Sequence, residues 1–138
     1  MAKKLRDVMT SKPRTIEPST PLEQAARIMR DEDVGALPIV EGDRLFGMLT
    51  DRDIAIRAVA DGKDPKATKA QDVASRQVVT VDPEQSLDEA LRLMASHQVR
   101  RLPVVEEDGR LVGIVAQADA AMEGDERKVG RTVEEISR

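Results

Sequence analysis

Residues 37–41 read Leu37-Pro38-Ile39-Val40-Glu41, and residues 102–106 read Leu102-Pro103-Val104-Val105-Glu106. The match extends outward at a constant interval. Thr15-Ile16-Glu17-Pro18 is answered by Thr80-Val81-Asp82-Pro83, and Leu22, Ala25, Arg27 and Met29 by Leu87, Ala90, Arg92 and Met94. The lead-ins Asp7-Val8 and Asp72-Val73 correspond as well. After one inserted residue, Leu45-Phe46-Gly47 is answered by Leu111-Val112-Gly113, and Asp53 by Asp119. An internal repeat of this kind decides the architecture before any single element does. Two copies are expected to pack about a pseudo-two-fold axis, with clefts between them of the sort that take small ligands.

The order within one copy follows from local pattern. Residues 5 to 9 are a helix-like lead-in. Arg14-Thr15-Ile16 is a short extended piece stopped by Pro18. Thr20-Pro21-Leu22-Glu23 reads as a capping box that opens a helix ending near Asp33, with Leu22, Ala25, Ala26, Ile28 and Met29 at helical spacing. A strand over 36–40, a turn at Glu41-Gly42-Asp43 and a return strand over 45–49 form a hairpin. A helix from Asp51 to about Ala60 follows. Copy two repeats this order: a strand near Val78–Val81, a helix capped by Ser86 with Leu87, Ala90, Leu91 and Met94 on one face, a hairpin turning at Glu107-Asp108-Gly109, and a helix from about Gln117 to Met122. The fold class is mixed, α/β (α+β). Each of the two tandem repeats is a small three-stranded sheet with two helices on one face, and the bare face seeks cover from the other copy. The expected boundaries are repeat 1 over 5–61, a linker over 62–71, repeat 2 over 72–122 and a charged tail over 123–138, in which Thr132-Val133-Glu134-Glu135 could cap a last helical turn.

Composition narrows the function. A single copy of about 60 residues buries little surface by itself. With no cysteine there is neither a disulfide framework nor a thiolate metal site. No run of residues is long enough to span a bilayer, and the basic start Met1-Ala2-Lys3-Lys4 lacks the apolar run of a signal peptide, so the expected location is cytoplasmic. The formal charge of −4 and a single aromatic residue, Phe46, argue against nucleic-acid binding, which needs a basic footprint or stacking platforms. Catalysis finds no nucleophilic cysteine, Gly-x-Ser-x-Gly elbow, P-loop or paired-histidine motif, and the expectation is a protein that is not an enzyme. His97, the only histidine, has no second soft ligand to share a metal. Met29 and Met94 are core filler by spacing.

These features resemble a tandem pair of cystathionine-β-synthase (CBS) domains, a Bateman module. The resemblance rests on the Thr-x-x-Pro entries (Thr15, Pro18; Thr80, Pro83), the Leu-Pro strand starts, the return-strand glycines Gly47 and Gly113, and Gly47-Met48-Leu49-Thr50-Asp51-Arg52-Asp53, which is similar to the family's Gly-x-x-x-[Ser/Thr]-x-x-Asp nucleotide signature. It covers about residues 5 to 122. Asp33-Val34-Gly35-Ala36-Leu37-Pro38 adds a likeness to stand-alone bacterial two-CBS proteins of the hypoxic response protein type.

The resemblance implies a regulatory module that binds an adenosine-containing ligand (AMP, ADP or ATP, with S-adenosylmethionine or NAD as further possibilities) in the cleft between repeats. It assigns the ribose diol to Asp53 and Asp119, since a carboxylate accepts both hydroxyl protons. It assigns a phosphate to Thr50, which also opens a helix whose free N–H groups favour an anion. Ile16 with Leu37 and Pro38, and Val81 with Leu102 and Pro103, would wall the adenine beside the entry residues Thr15 and Thr80. Arg100 or Arg101, in place of Gly35-Ala36, would reach phosphate oxygens with a guanidinium fork, and Arg52 is a further candidate. Copy two carries Ala116 where copy one has Thr50, so it lacks both the cap and the donor. Thr50-x-x-Asp53 is equally a helix capping box, which leaves open a second reading: a ligand-independent dimerising or interaction scaffold, with a stress-related role as one option. Ile54, Ile56, Ala58 and Val59 cannot all face one internal core, and a homodimer is expected, with a client protein as a further partner.

Overall fold

The computed structural model describes residues 3–119. Its elements are α1 (Leu5–Val8), β1 (Thr10–Ser11), α2 (Leu22–Glu32), β2 (Ala36–Glu41), β3 (Arg44–Thr50), α3 (Asp51–Asp53, continued by a π-helical stretch over Ile54–Val59), α4 (Ala70–Val73), α5 (Leu87–His97), β4 (Arg101–Val105) and β5 (Leu111–Ala116). Gln117 to Asp119 are helical. The rest of the helix expected to reach Met122, and the whole of the tail, lie outside the described residues. The mixed class and the doubled plan are as expected.

The chain divides into two compact units, one of residues 14–78 and the other combining 3–13 with 79–119 among the described residues. Each repeat therefore takes its lead-in from the segment that precedes the other. In the first unit, β2 and β3 pair antiparallel from Ala36↔Thr50 to Glu41↔Arg44, with a bulge at Ile39/Val40. Gly42 sits in the two-residue turn at φ 65°, a conformation open to glycine at no steric cost. Ile16 bridges to Ile39 in parallel, and Ser75 bridges to Met48 antiparallel. The other unit repeats this. β4 and β5 pair with a bulge at Val104/Val105, Val81 bridges to Val104 in parallel, and β1 adds to β5 through Thr10↔Ile114 and Ser11↔Gly113. The strands expected at 14–16 and 78–81 thus shrink to single bridges. Pro18 and Pro83 end them, and each contributes one residue, Ile16 or Val81, to the ladder.

The helices bury the stripes their spacing predicts. Leu22, Ala25 and Met29 of α2 join Ile16, Leu37, Ile39, Leu49, Ala58, Ala70 and Val73 in one buried cluster. Leu87, Ala90, Leu91 and Met94 of α5 join Leu5, Val81, Leu102, Val104 and Val115 in the cluster of the other unit. Ala26 is exposed and Ile28 only half-buried. Burying one leucine-sized side chain contributes about 1.5–3 kcal/mol.

The start of α2 corrects the expected capping, while that of α5 keeps its Ser86 cap. Pro21, not Thr20, is the N-cap of α2, and no side chain caps it. The Thr20 hydroxyl instead accepts the Glu17 amide at 3.1 Å. The free amides of Leu22 and Glu23 donate to the carbonyls of Thr68 and Pro65, each at 3.0 Å. In α5, Ser86 occupies the position of Pro21, and its Oγ accepts the Glu89 amide at 3.1 Å. Gln85 occupies that of Thr20 and accepts the Asp82 amide at 2.8 Å. The two helix starts are therefore in register, and what differs is a serine where the first copy has proline. Both helices close with a left-handed residue, Asp33 and Gln98, each at φ 54°. The next amide then reaches back to Met29 or Met94 (3.0 and 2.9 Å), a Schellman closure.

Candidate functional site

In the first unit the end of the β2–β3 hairpin gathers the predicted residues of copy one. Ala36 lies opposite Thr50, and Leu37 opposite Leu49. The Asp51 amide donates to Gly35 O at 2.9 Å, which turns the chain out of β3 into α3. Ile16 N donates to Pro38 O at 3.0 Å, and Val40 N donates to Ile16 O at 2.9 Å. Proline suits this third residue of β2 because its carbonyl is what the bridge to Ile16 uses there. Leu37 and Ile16 are 1% and 4% exposed and belong to the core cluster, so their side chains do more for the fold than an open wall would. Thr15 is half-buried and Arg52 exposed.

Thr50 and Asp53 form a complete capping box. The Asp53 amide donates to Thr50 Oγ1, and the Thr50 amide donates to Asp53 Oδ2, both at 3.0 Å. Oδ1 of Asp53 faces Arg57 Nε at 3.9 Å, and the carboxylate side chain is 12% exposed against 55% for Arg57. Arg57 Nη1 also donates to Val73 O at 3.3 Å. The box leaves two functions uncommitted: the hydroxyl proton of Thr50 and the second oxygen of Asp53. Sequence reasoning passed over Arg57, although an arginine four residues after an aspartate on a helix is a recognisable pair.

Copy two keeps half of this arrangement. Asp119 Oδ2 accepts the Ala116 amide at 2.9 Å, but Ala116 offers no hydroxyl in return. Arg101 lies opposite Ala116, and Leu102 opposite Val115. Gln117 N donates to Arg100 O at 2.9 Å, and Val81 N donates to Pro103 O at 3.0 Å. Arg100 and Thr80 are exposed, and Arg101 is half-buried. Nε2 of Gln117 is the one buried side-chain polar atom without a hydrogen bond among the described residues.

Open depressions occur beside the hairpin turns instead. One of about 650 Å³ is lined by Arg6, Asp82, Glu84, Glu106 and Arg110 among others, and one of about 370 Å³ by Glu17, Ser19 and Gly42 among others. Neither includes a predicted site residue. Arg6 pairs with Glu84 and Arg110 with Glu106, so both cations lining the larger one are already paired. Among the described residues no group of three His, Cys, Asp or Glu side chains is placed to hold a metal ion.

Comparison with known proteins agrees with the doubled plan. The family model for the CBS domain matches residues 5–59 and again 70–124. Hypoxic response protein 1 of Mycobacterium tuberculosis is 44% identical over 132 residues, covering 95% of this chain and 92% of its own. The crystal structure of Hypoxic Response Protein I with two coordinated zinc ions superposes with a TM-score of 0.81 at 44% identity, covering 89% of this chain and all of that one. The CBS domain pair of MJ0100 in complex with 5′-methylthioadenosine and S-adenosyl-L-methionine superposes with a TM-score of 0.76 at 27% identity, covering 87% of this chain and 98% of that one. With two matched copies over most of its length and relatives of the same size, the chain belongs to the CBS domain family, as a tandem pair.

Proposed function

We propose that this CBS pair is a cytoplasmic, non-catalytic regulatory module that binds an adenosine-containing small molecule, of the AMP, ADP or ATP class, and passes its occupancy to a client protein. One observation carries the reading. At the end of the hairpin in the first unit, the box of Thr50 and Asp53 leaves one hydroxyl donor and one carboxylate oxygen uncommitted. A carboxylate oxygen accepts the protons of a vicinal diol, and a hydroxyl donates to a phosphate. Copy two retains the carboxylate alone, which points to copy one as the primary site. The MJ0100 pair, which binds two adenosine derivatives, supports the ligand class.

A second reading has its own support. The box is closed and caps α3 without a ligand, as a purely structural device would. In that case the protein is a dimerising scaffold. Zinc is not extended to this chain from the relative that holds it. Such sites are built from several Cys, His and carboxylate ligands, and here there is no cysteine and one histidine.

A thermal shift series with AMP, ADP, ATP, S-adenosylmethionine and NAD separates the two readings. A ligand at 100 times its dissociation constant stabilises by about 2.7 kcal/mol, a shift of several degrees. No shift with any of the five overturns the sensor and leaves the scaffold.

A further inference from the structure

We propose that Arg57 is the positioning residue of the candidate site, holding the Asp53 carboxylate in its ligand-accepting pose and tying it to the end of α4. This rests on the adenosine-binding reading and adds the part of the site that neither motif nor family comparison identifies.

The guanidinium has two partners. Nη1 donates to the Val73 carbonyl at 3.3 Å, and Nε lies 3.9 Å from Asp53 Oδ1. The first partner is a fixed anchor. Val73 is 1% exposed, and its turn is closed by the Ala74 amide on Ala70 O at 3.0 Å. The second partner is a sheltered carboxylate whose other oxygen is already held by the Thr50 amide. Asp53 is thus fixed from two directions, by a backbone amide on Oδ2 and by a cation near Oδ1. An arginine presents several donors in a rigid plane, so it can serve a carbonyl and a carboxylate together where a lysine presents a point charge. With the carboxylate's charge balanced, Oδ1 keeps lone pairs free for hydroxyl protons.

In sequence, the second copy does not repeat this set of residues. The residue that follows Asp119 as Arg57 follows Asp53 is Glu123, a like charge for Asp119. Hydroxyl, carboxylate and guanidinium occur together at this motif in copy one alone. The link to Val73 has a further consequence. A ligand that takes Asp53 Oδ1 acts on the carboxylate that faces Arg57, and Arg57 is the side chain that grips α4, so occupancy is read at residues 73–75.

The test uses the full chain with Arg57→Gln and Arg57→Lys, and two measurements. Amide hydrogen exchange of Thr50 in the ligand-free protein reports how firmly Asp53 is held. Titration calorimetry with ADP reports the site. Arg57→Gln is expected to speed Thr50 exchange and to weaken ADP about tenfold, while leaving amides of the buried strand Leu37–Ile39 protected. Arg57→Lys is expected to recover part of the affinity. In the Asp53→Asn background, Arg57→Gln should then cost little more, since both act through one group. Unchanged Thr50 exchange and unchanged ADP affinity in Arg57→Gln overturn the positioning role while the sensor reading stands. Faster Thr50 exchange in a protein whose wild type binds no ADP does the reverse: the positioning is upheld and the ligand reading fails.

Discussion

The Met48 amide donates to the Ser75 carbonyl, and the Ser75 amide returns the bond to the Met48 carbonyl, both at 3.0 Å. This reciprocal pair joins the return strand of repeat 1 to the lead-in of repeat 2. Its counterpart is the pairing of β1 with β5 through Thr10↔Ile114 and Ser11↔Gly113. The same exchange recurs at the helix starts, where Pro21 bridges to Lys69 and Ser86 to Lys4. Each small hairpin thus gains an edge partner that its own repeat does not supply, which covers backbone groups that an open edge would leave unpaired.

The return-strand glycines follow from this exchange. A Cβ on Gly47 would lie 2.5 Å from Ser75 O, a backbone atom with no room to yield. On Gly113 it would meet Met9 Sδ at 2.5 Å and Thr10 O at 2.9 Å, and the methionine side chain can swing aside in part. Gly47→Ala is expected to destabilise by about 1–3 kcal/mol, the usual cost of overpacking, and Gly113→Ala by less. Urea unfolding of both variants checks the order. Equal stability of Gly47→Ala and wild type would show that residues 74–76 do not pack on β3 as described.

The two helix starts make opposite predictions for similar substitutions. Ser86→Ala removes the hydroxyl that accepts the Glu89 amide and should cost about 1 kcal/mol. Thr20→Ala removes only an exposed turn contact to the Glu17 amide and should cost a few tenths at most. Midpoints of denaturant curves distinguish them. A larger loss from Thr20→Ala would restore the capping box expected from Thr20-Pro21-Leu22-Glu23.

Glu89 adds a pH dependence. The Gln85 side-chain amide donates to its Oε2 at 3.0 Å, and together with hydrogen bonds from Ser86 this holds its pKa below the ordinary carboxylate value. A carboxylate depressed on folding stabilises the protein above the pKa of the unfolded chain, and that contribution is lost as pH falls through the folded value. Wild type should therefore lose more stability than Glu89→Gln on acidification below the usual carboxylate range, and the two should run parallel above it. Parallel curves throughout the acid limb would remove Glu89 from the linkage.

How much of this was legible depended on range. The repeat, the hairpins and the buried stripe of α5 are local patterns, and Leu87, Ala90, Leu91 and Met94 declare themselves by spacing. The exchange of lead-ins is not local: nothing in Ser75 announces Met48 as its partner. Thr20 was misread for a related reason. Its hydroxyl had two possible local partners, and Pro21 settles the choice by taking the N-cap while the Thr68 and Pro65 carbonyls satisfy the helix amides. The capping role of the Thr50 box was legible in its spacing; its proposed ligand role draws on the same two side chains, so the pattern alone does not separate the two. The π-helical stretch after Asp53 has no sequence signal, and Arg57 was visible as the i,i+4 partner of Asp53, a spacing that does not by itself set it apart from the other charged residues.

Ile56 and Val59, in that π-helical stretch, are 47% and 68% exposed. Exposed apolar side chains grouped on one element mark an interaction surface, and a second copy of the chain is the proposed occupant. Wild type should sediment as a dimer at micromolar concentration. Ile56→Lys with Val59→Lys should shift it to monomer with the fold retained by circular dichroism. A wild-type monomer, or a double variant that stays dimeric, rules this face out as the contact.

The capping box also changes how the ligand site must be probed. Asp53→Ala would remove the acceptor of the Thr50 amide as well as the proposed diol contact, at a cost of about 1 kcal/mol to the helix start, so a loss of binding would be ambiguous. Asp53→Asn keeps an oxygen for the Thr50 amide and removes the charge. It is expected to keep most of the stability and to weaken adenosine and ADP alike. Thr50→Ala should weaken ADP more than adenosine, because the hydroxyl is assigned to a phosphate rather than to the ribose. Asp119→Asn should matter least, since Ala116 already leaves that corner without a hydroxyl. Titration calorimetry of the three variants with both ligands decides the assignment. Loss of ADP binding in Asp119→Asn with Asp53→Asn unaffected would move the primary site to copy two, where Arg101 stands opposite Ala116 and would then be the first phosphate partner to test.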